Sequence, residues 1–257
     1  MRIQSVAQWL LAFLLLPACC LARAGGGGGH GGGGSHSSGG HSYHSYSSGG
    51  HGGSASDMLL LFPLAGIVIV VLVYAALQNA KFRVSQDAAR LLIAQLGQQD
   101  ALWNFQKMTT RVTEVFFRVQ QAWTQNNQEL ARDCMSARLY QHHKAQTDAM
   151  LARGQRNVLQ DIKLAEVAIY SVADYQDDAR DTFAAWLRGS MVDYTVNEPS
   201  PELPDGTLNP EHFTEVWTFV RVENNWVLDS IAPQASNYAL GQAVAYSEQL
   251  SGAVRAS

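Results

Sequence analysis

The clearest periodicity in the chain lies between residues 103 and 123, where apolar residues recur at steps of three and four. This spacing is typical of the buried face of a long amphipathic helix. Asn126 and Asn127 interrupt the pattern, a second helical stretch is predicted over residues 128–149, and Gly154 is its predicted stop. The apolar positions of the first helix are Trp103, Phe105, Met108, Val112, Val115, Phe116, Val119 and Trp123.

Beyond Gly154 the pattern changes to runs of β-branched and aromatic residues. Strands are predicted at residues 164–172 and 183–196, and the acidic stretch 174–181 between them is predicted to be a hairpin connection. Four prolines lie within residues 198–210, so this segment is predicted to be a loop.

Residues 213–222 read FTEVWTFVRV and alternate as a strand does. Asn224 and Asn225 can take the positive φ angles of a tight turn, and a last strand is predicted at residues 226–231. Helices followed by an antiparallel sheet of about four strands indicate the α+β class, with the helices packed on one face of a curved sheet. The residues predicted to share one face of the strand at 213–222 are Phe213, Glu215, Trp217, Phe219 and Arg221.

A separate apolar segment, residues 58–77, reads MLLLFPLAGIVIVVLVYAAL and contains no charged residue. Its 20 residues are the length that crosses a bilayer, so a transmembrane helix is predicted and a buried core helix is disfavoured. Asp57 precedes the segment, and Lys81 and Arg83 follow it. The positive-inside rule therefore places the chain after residue 77 in the cytoplasm.

Residues 1–24 combine Arg2, an apolar run and the sequence ARA, which is the pattern of a signal peptide. A lipoprotein box ending at Cys19 is the alternative interpretation. Residues 25–57 are rich in Gly, Ser and His and are predicted to be a disordered spacer on the exported side. Metal handling is the alternative for this tract, because imidazole binds zinc, nickel and copper. Its histidines are His30, His36, His41, His44 and His51.

The remaining boundaries follow from these features. Residues 78–100 are predicted to be a helical juxtamembrane linker, residues 101–235 the folded domain and residues 236–257 a C-terminal tail. Of the three cysteines only Cys134 lies outside the first 24 residues, so the folded part has no internal disulfide. A single buried structural thiol is expected there, as fits a reducing compartment.

Charge is distributed unevenly along the chain. The net charge of −4 gives no reason to expect nucleic acid as a partner. Residues 83–163 hold 11 basic and 7 acidic residues, whereas residues 164–257 hold 4 and 14. The helical half could face anionic lipid, or it could be an ordinary solvated surface. The residues predicted to face anionic lipid, placed in the second helical region, are Arg132, Arg138, Lys144, Arg153 and Arg156.

An ordered set of short motifs adds a resemblance to a known family. Ala122-Trp123 with Asn126-Asn127 comes first, Arg156-Asn157 follows, and FTE and WTF occur at residues 213–219. Over residues 101–233 this order resembles the Tim-forty-four-like domain of the mitochondrial import-motor tether and its bacterial relatives. The region through which the mitochondrial relative contacts its chaperone and translocon is replaced here by the tract and the apolar segment. Import-motor function is therefore not implied.

The resemblance implies the cone-shaped α+β fold also seen in nuclear transport factor two and the ketosteroid isomerases. It further implies a single-pass protein of the bacterial inner membrane that acts as a tether or scaffold for anionic lipid or a membrane-protein partner. A small-ligand-binding or catalytic domain is the alternative, since this fold often encloses a pocket. The residues predicted to line such a pocket are Trp217, Glu215, Phe219 and Tyr170.

No catalytic residue and no cofactor is predicted. Asp193 and Tyr194 are neighbours in one predicted strand and therefore point to opposite faces. His142 and His143 diverge by about 100° on a helix, which makes them poor joint metal ligands, and both are expected at the surface.

Overall fold

The computed structural model describes residues 55–198, 205–233 and 243–250 of the 257-residue chain. These residues fall into two units, 55–84 and 85–250. The predicted signal peptide and all five histidines of the Gly-rich tract lie outside the described residues.

The first helix, α1, runs from Ala55 to Leu96 and contains the predicted transmembrane segment. From Gly66 to Leu96 it is long and apolar enough to cross a membrane by length and composition. Its large apolar side chains between Ile67 and Leu77 are 49–67% exposed. A helix that could span a membrane is therefore present, and its candidate span overlaps the predicted segment at residues 66–77.

The folded unit begins within the last turns of the same helix, where Ala89, Leu92, Ile93 and Leu96 are buried in its core. The predicted juxtamembrane linker thus contains core residues. The remaining helical elements are α2 (Phe105–Thr124), a 3₁₀ segment (Gln128–Cys134) and α3 (Ala137–Ala152). A further short 3₁₀ turn, Asp178–Arg180, lies between the first two strands.

The strands are β1 (Gln155–Asp174), β2 (Thr182–Asn197), β3 (Asp205–Val222), β4 (Asn225–Pro233) and β5 (Ala245–Ser247). Among the described residues they form one sheet in the order β4-β3-β2-β1-β5. Strands β1 to β4 pair antiparallel with their neighbours, and β5 pairs parallel with β1. The α+β class is confirmed, with a mixed sheet of five strands instead of an antiparallel sheet of about four.

Helix α2 packs its predicted apolar stripe against the face of the sheet that the alternation of β3 predicts. The Asn104 side chain accepts a hydrogen bond from the Lys107 N–H (2.9 Å) and caps the start of the helix. Phe116 then packs on Phe213 and Trp217, with ring centroids 5.8 and 5.4 Å away. These contacts place the main core between α2 and the sheet.

The second predicted helix is divided in two by contacts with β4. The 3₁₀ segment is kinked at Ala131, where φ is −123°. Met135 pairs with Leu228, and the Ser136 N–H donates to the carbonyl oxygen of Leu228 (2.8 Å). Ser136 then caps α3 by accepting from the Leu139 N–H. The prediction of one continuous helix was therefore wrong, because sheet pairing interrupts it.

Several strand boundaries also differ from the predictions. Strand β1 begins at Gln155, so Arg156 belongs to the sheet and Arg153 is the C-cap of α3. Strand β3 begins at Asp205 inside the predicted loop, because residues 205–207 pair with residues 193–195 of β2. Pro210 is tolerated because it falls where that pairing is interrupted.

Two turn predictions have different outcomes. The stop at Gly154 is confirmed, and this glycine has the positive φ of a helix C-terminal residue (67°). The turn between β3 and β4 is also present, but its positive φ belongs to Glu223 (53°) and to neither Asn224 nor Asn225.

Candidate functional site

An open groove of about 650 Å³ lies between the first half of α2 and the turn that joins β3 to β4. Its floor includes the buried side chains of Met108 and Trp226. Its rim carries charges of both signs. The charged lining residues are Asp100, Lys107, Arg111 and Glu114.

Contacts between distant parts of the chain fix the walls of the groove. Arg111 Nε donates to the carbonyl oxygen of Trp226 (3.0 Å), which joins α2 to β4. Trp226 Nε1 donates in turn to the carbonyl oxygen of Leu102 (3.4 Å), and its ring packs edge-on against Trp103 at 4.8 Å. The groove is therefore largely preformed by residues of the α2 start and of β4.

Beside the groove lies a smaller cavity of about 390 Å³, lined in part by Arg221. Asn224 lines both the groove and this cavity. The Arg221 side chain is 8% exposed and contacts three carboxylates, those of Asp100, Asp178 (3.0 Å) and Asp181 (3.2 Å). These acids come from the turn before α2 and from the connection between β1 and β2. The guanidinium of Arg221 thus joins these two segments to β3 at this end of the sheet.

Two carboxyl groups near Arg221, those of Asp181 and Asp174, have raised pKa values. Burial is the largest cause that raises the pKa of Asp181 to about 6, and the Asp174 carboxylate acts in the same direction. The Tyr175 N–H and Arg221 act to lower this pKa. Burial also raises the pKa of Asp174, although the Ser247 hydroxyl donates to its Oδ2 (2.6 Å). That contact attaches β5 to the end of β1.

The raised pKa of Asp181 predicts a pH dependence of folding stability. The folded state binds the proton more tightly than the unfolded state, so stability falls as pH rises through about 6. Between pH 5 and 7 this group is expected to remove about 1 kcal/mol from the free energy of unfolding. Urea titrations at both pH values should show a smaller pH difference in Asp181→Asn, which retains an acceptor for Tyr175. An equal pH difference in both proteins would contradict the assignment.

The predicted pocket residues lie in the core and do not line the groove. Trp217, Glu215 and Phe219 share one face of β3, and Trp217 Nε1 donates to Glu215 Oε2 (2.9 Å). Tyr170 is also buried but lies outside the hydrophobic cluster that contains Trp217, and burial raises its pKa to about 12. Because Phe116 packs directly on Trp217, a ligand there would have to displace core side chains. Their role in ligand binding stays a prediction.

Two of the residues that carry the family resemblance, Trp123 and Asn157, hold α2 to the sheet. Trp123 Nε1 donates to Asn157 Oδ1 (3.1 Å), and Asn157 Nδ2 donates to Asp193 Oδ1 (2.8 Å). This chain of hydrogen bonds joins α2, β1 and β2, and its members Trp123 and Asn157 are buried. The motifs therefore specify packing, and the Asp193 carboxylate takes part in that packing.

Four of the five residues predicted to face lipid make ion pairs with acidic side chains. Such pairs on an exposed surface contribute about 0–1 kcal/mol, so they are weak and exchangeable. Arg153 instead donates to the amide oxygen of Gln155 (2.8 Å). The pairs are Arg132–Glu129, Arg138–Asp229, Lys144–Asp148 and Arg156–Glu198. Lipid contact at these residues stays a prediction.

The paired histidines have different environments. His142 is exposed, whereas His143 is buried against the edge of Trp123, with ring centroids 5.3 Å apart. The prediction of two surface histidines was therefore wrong for His143, whose pKa is lowered to about 4 by burial. Cys134 is buried as expected, and desolvation raises the pKa of its thiol. In the described ranges, no three His, Cys, Asp or Glu side chains are grouped to hold a metal ion.

Comparison with known proteins identifies one family. The profile described as Tim44-like domain matches residues 89–233, which are more than half of the chain. No curated protein sequence is similar to this chain. A solved structure that matches is the crystal structure of the intermembrane space region of the chloroplast protein ARC6, at 14% identity and a TM-score of 0.38. The match covers 50% of this chain and 97% of that chain.

Proposed function

This chain belongs to the Tim44-like domain family, whose members are membrane-associated tethers and scaffolds, and we propose that it is a membrane-anchored tether that binds a partner protein in the groove beside Trp226. The observation that carries this proposal is the preformed groove itself. It combines an apolar floor with a charged rim and lies on a domain whose chain also contains a helix long enough to span a membrane.

The lining of the groove has the composition of a protein-binding surface. Protein interfaces have apolar cores and polar rims, and tryptophan and arginine are enriched among the residues that dominate their affinity. Trp226 and Arg111 occupy such positions here. Because the rim carries Asp100 and Glu114 as well as Lys107, it does not present the uniformly positive surface that anionic lipid would favour.

Binding of anionic lipid is a second candidate function, supported by the excess of basic residues in positions 83–163. The weak pairs of Arg132, Arg138, Lys144 and Arg156 could be exchanged for lipid phosphates. Arg153, whose partner is an uncharged amide, could engage a phosphate without losing an ion pair.

For the location of the protein, the resemblance to bacterial relatives supports the bacterial inner membrane, and the charges that flank the apolar helix support a cytoplasmic folded domain. Lys81 and Arg83 follow the apolar segment, and Asp57 precedes it. This asymmetry favours the cytoplasm for the C-terminal side.

Site-specific photocrosslinking in intact cells tests the groove. A benzophenone amino acid at Gln106, an exposed groove residue, is expected to capture a discrete protein. The matched control is Gln121, which is exposed on the same helix about 22 Å away and is not among the groove residues. Lys107→Glu should weaken capture from Gln106 by reversing one charge on the rim.

The same experiment separates the two candidate functions. Equal capture from Gln106 and Gln121, or no protein captured from either, would refute binding in the groove. Capture of lipid from a probe at Arg153, together with dependence of the full-length protein on anionic lipid in vesicle competition, would support the second candidate instead.

A further inference from the structure

Three buried polar atoms belong to Gln128, the first residue of the 3₁₀ segment, and to His143 of α3. They are Nε2 and Oε1 of Gln128 and Nδ1 of His143. Each of the two residues is 3% exposed. None of the three atoms has a hydrogen-bond partner in the part of the chain that the structure describes.

Contacts at both ends place the start of the 3₁₀ segment beside α3. The hydroxyl of Tyr140 on α3 donates to the carboxylate of Glu129, the residue after Gln128. His143 follows Tyr140 by about one helical turn, so it lies on the same side of α3. The beginning of the 3₁₀ segment therefore packs beside the turn of α3 that carries His143.

The opposite end of the connection is fixed as well. Asn126 Nδ2 donates to the carbonyl oxygen of Gln155 (3.5 Å), just beyond the end of α3. The connection thus runs along α3 in the reverse direction, from Gln155 towards Tyr140. Trp123 closes the interface from α2, since its ring packs edge-on against His143 at 5.3 Å.

Unpaired polar atoms at such depth are unusual in folded proteins, where most buried polar groups are bonded to protein or to ordered water. The Gln128 side-chain amide has two N–H donors and one acceptor oxygen. Burial lowers the pKa of His143 to about 4 and so keeps its ring uncharged. A matching ligand must be small, uncharged, and able to donate and to accept. Water meets all three requirements, and internal waters make about three hydrogen bonds.

We propose that this interface binds an internal water molecule that bridges the Gln128 side-chain amide to His143 Nδ1. The water supplies hydrogen bonds between α3 and the 3₁₀ segment. This site is independent of the groove beside Trp226 and does not depend on the identity of any partner.

NMR of the full-length protein in detergent micelles tests the site directly. With ¹⁵N-labelled glutamine, the Gln128 side-chain amide is expected to show nuclear Overhauser cross-peaks to water with the sign of a long-lived complex. The exposed Gln121 amide is the control and should show only the sign of fast surface hydration. Gln128→Met assigns the signal by removing it. A Gln128 amide with no long-lived water contact would overturn the proposal.

A double-mutant cycle gives a second readout. Gln128→Met and His143→Phe keep the size of each side chain, and the phenyl ring retains the edge contact with Trp123. If one water bridges both groups, each single variant is expected to lower Tm by about 2–4 °C, and the double variant by clearly less than their sum. Additive shifts, or a rise in Tm for each single variant, would show that the atoms are unbridged.

Discussion

Replacing Arg221 by methionine is expected to destabilise the folded domain by about 3–5 kcal/mol. Methionine keeps much of the apolar stem but removes the charge that compensates Asp181, whose side chain is fully buried. The Asp100 and Asp178 carboxylates then lose their partner as well. The turn before α2 and the β1–β2 connection, which carry these carboxylates, would then repel each other.

Denaturant titration of the full-length protein, followed by tryptophan fluorescence, measures this loss. Arg138→Met is the matched control, because Arg138 makes an ion pair of 2.7 Å with Asp229 but its side chain is 70% exposed. The control is expected to change the free energy of unfolding by less than about 1 kcal/mol. Equal effects of the two substitutions would show that burial of the Arg221 cluster does not matter.

The second large effect is expected from Phe116→Ala, which should cost about 3–5 kcal/mol. Phe116 is fully buried and packs on Phe213 and Trp217, so its removal leaves a cavity between α2 and the sheet. Phe117 is the neighbouring residue of the same type and is 43% exposed. Phe117→Ala should therefore cost about 1 kcal/mol or less.

Thermal unfolding by near-UV circular dichroism provides the comparison for this pair of variants. The identical chemistry of the two substitutions isolates burial as the cause of any difference. If Phe117→Ala destabilised the domain as much as Phe116→Ala, the helix face assigned to the core would be wrong.

The spacing of apolar residues along the chain predicted those helices and strands whose buried residues recur at a fixed interval. The steps of three and four in residues 103–123 predicted α2 and its buried face, since a helix turns once every 3.6 residues. The alternation of residues 213–222 predicted the inner face of β3, including Trp217 and Arg221. Both patterns are confirmed because each depends on neighbours in sequence.

Pairing between distant segments explains the helix and strand boundaries that the sequence did not predict. The break before α3 arises because Met135 and Ser136 bond to Leu228, more than 90 positions away. The early start of β3 depends on pairing with β2, and β5 becomes a strand only because Val172–Asp174 of β1 lie beside it. No local pattern contains these partners, so local propensity was overridden.

The groove could not be predicted for the same reason. Its lining comes from the start of α2 and from the β3–β4 turn, which are about 115 residues apart in sequence, as in the contact of Arg111 with Trp226. Many helices carry polar residues on their exposed side, and many turns contain asparagine. Neither the start of α2 nor the β3–β4 turn therefore indicates a binding site by itself. Only the packing of Trp226 under α2 makes them one surface.

The sequence by itself determined the class of fold, the helix that could span a membrane and the family, because these depend on periodicity, length and ordered motifs along the chain. The tertiary structure alone decided that Trp217 and Glu215 are core residues, that Arg221 gathers three carboxylates, and that the open surface lies beside Trp226. The physical reason is that burial and charge pairing are set by which distant segments meet.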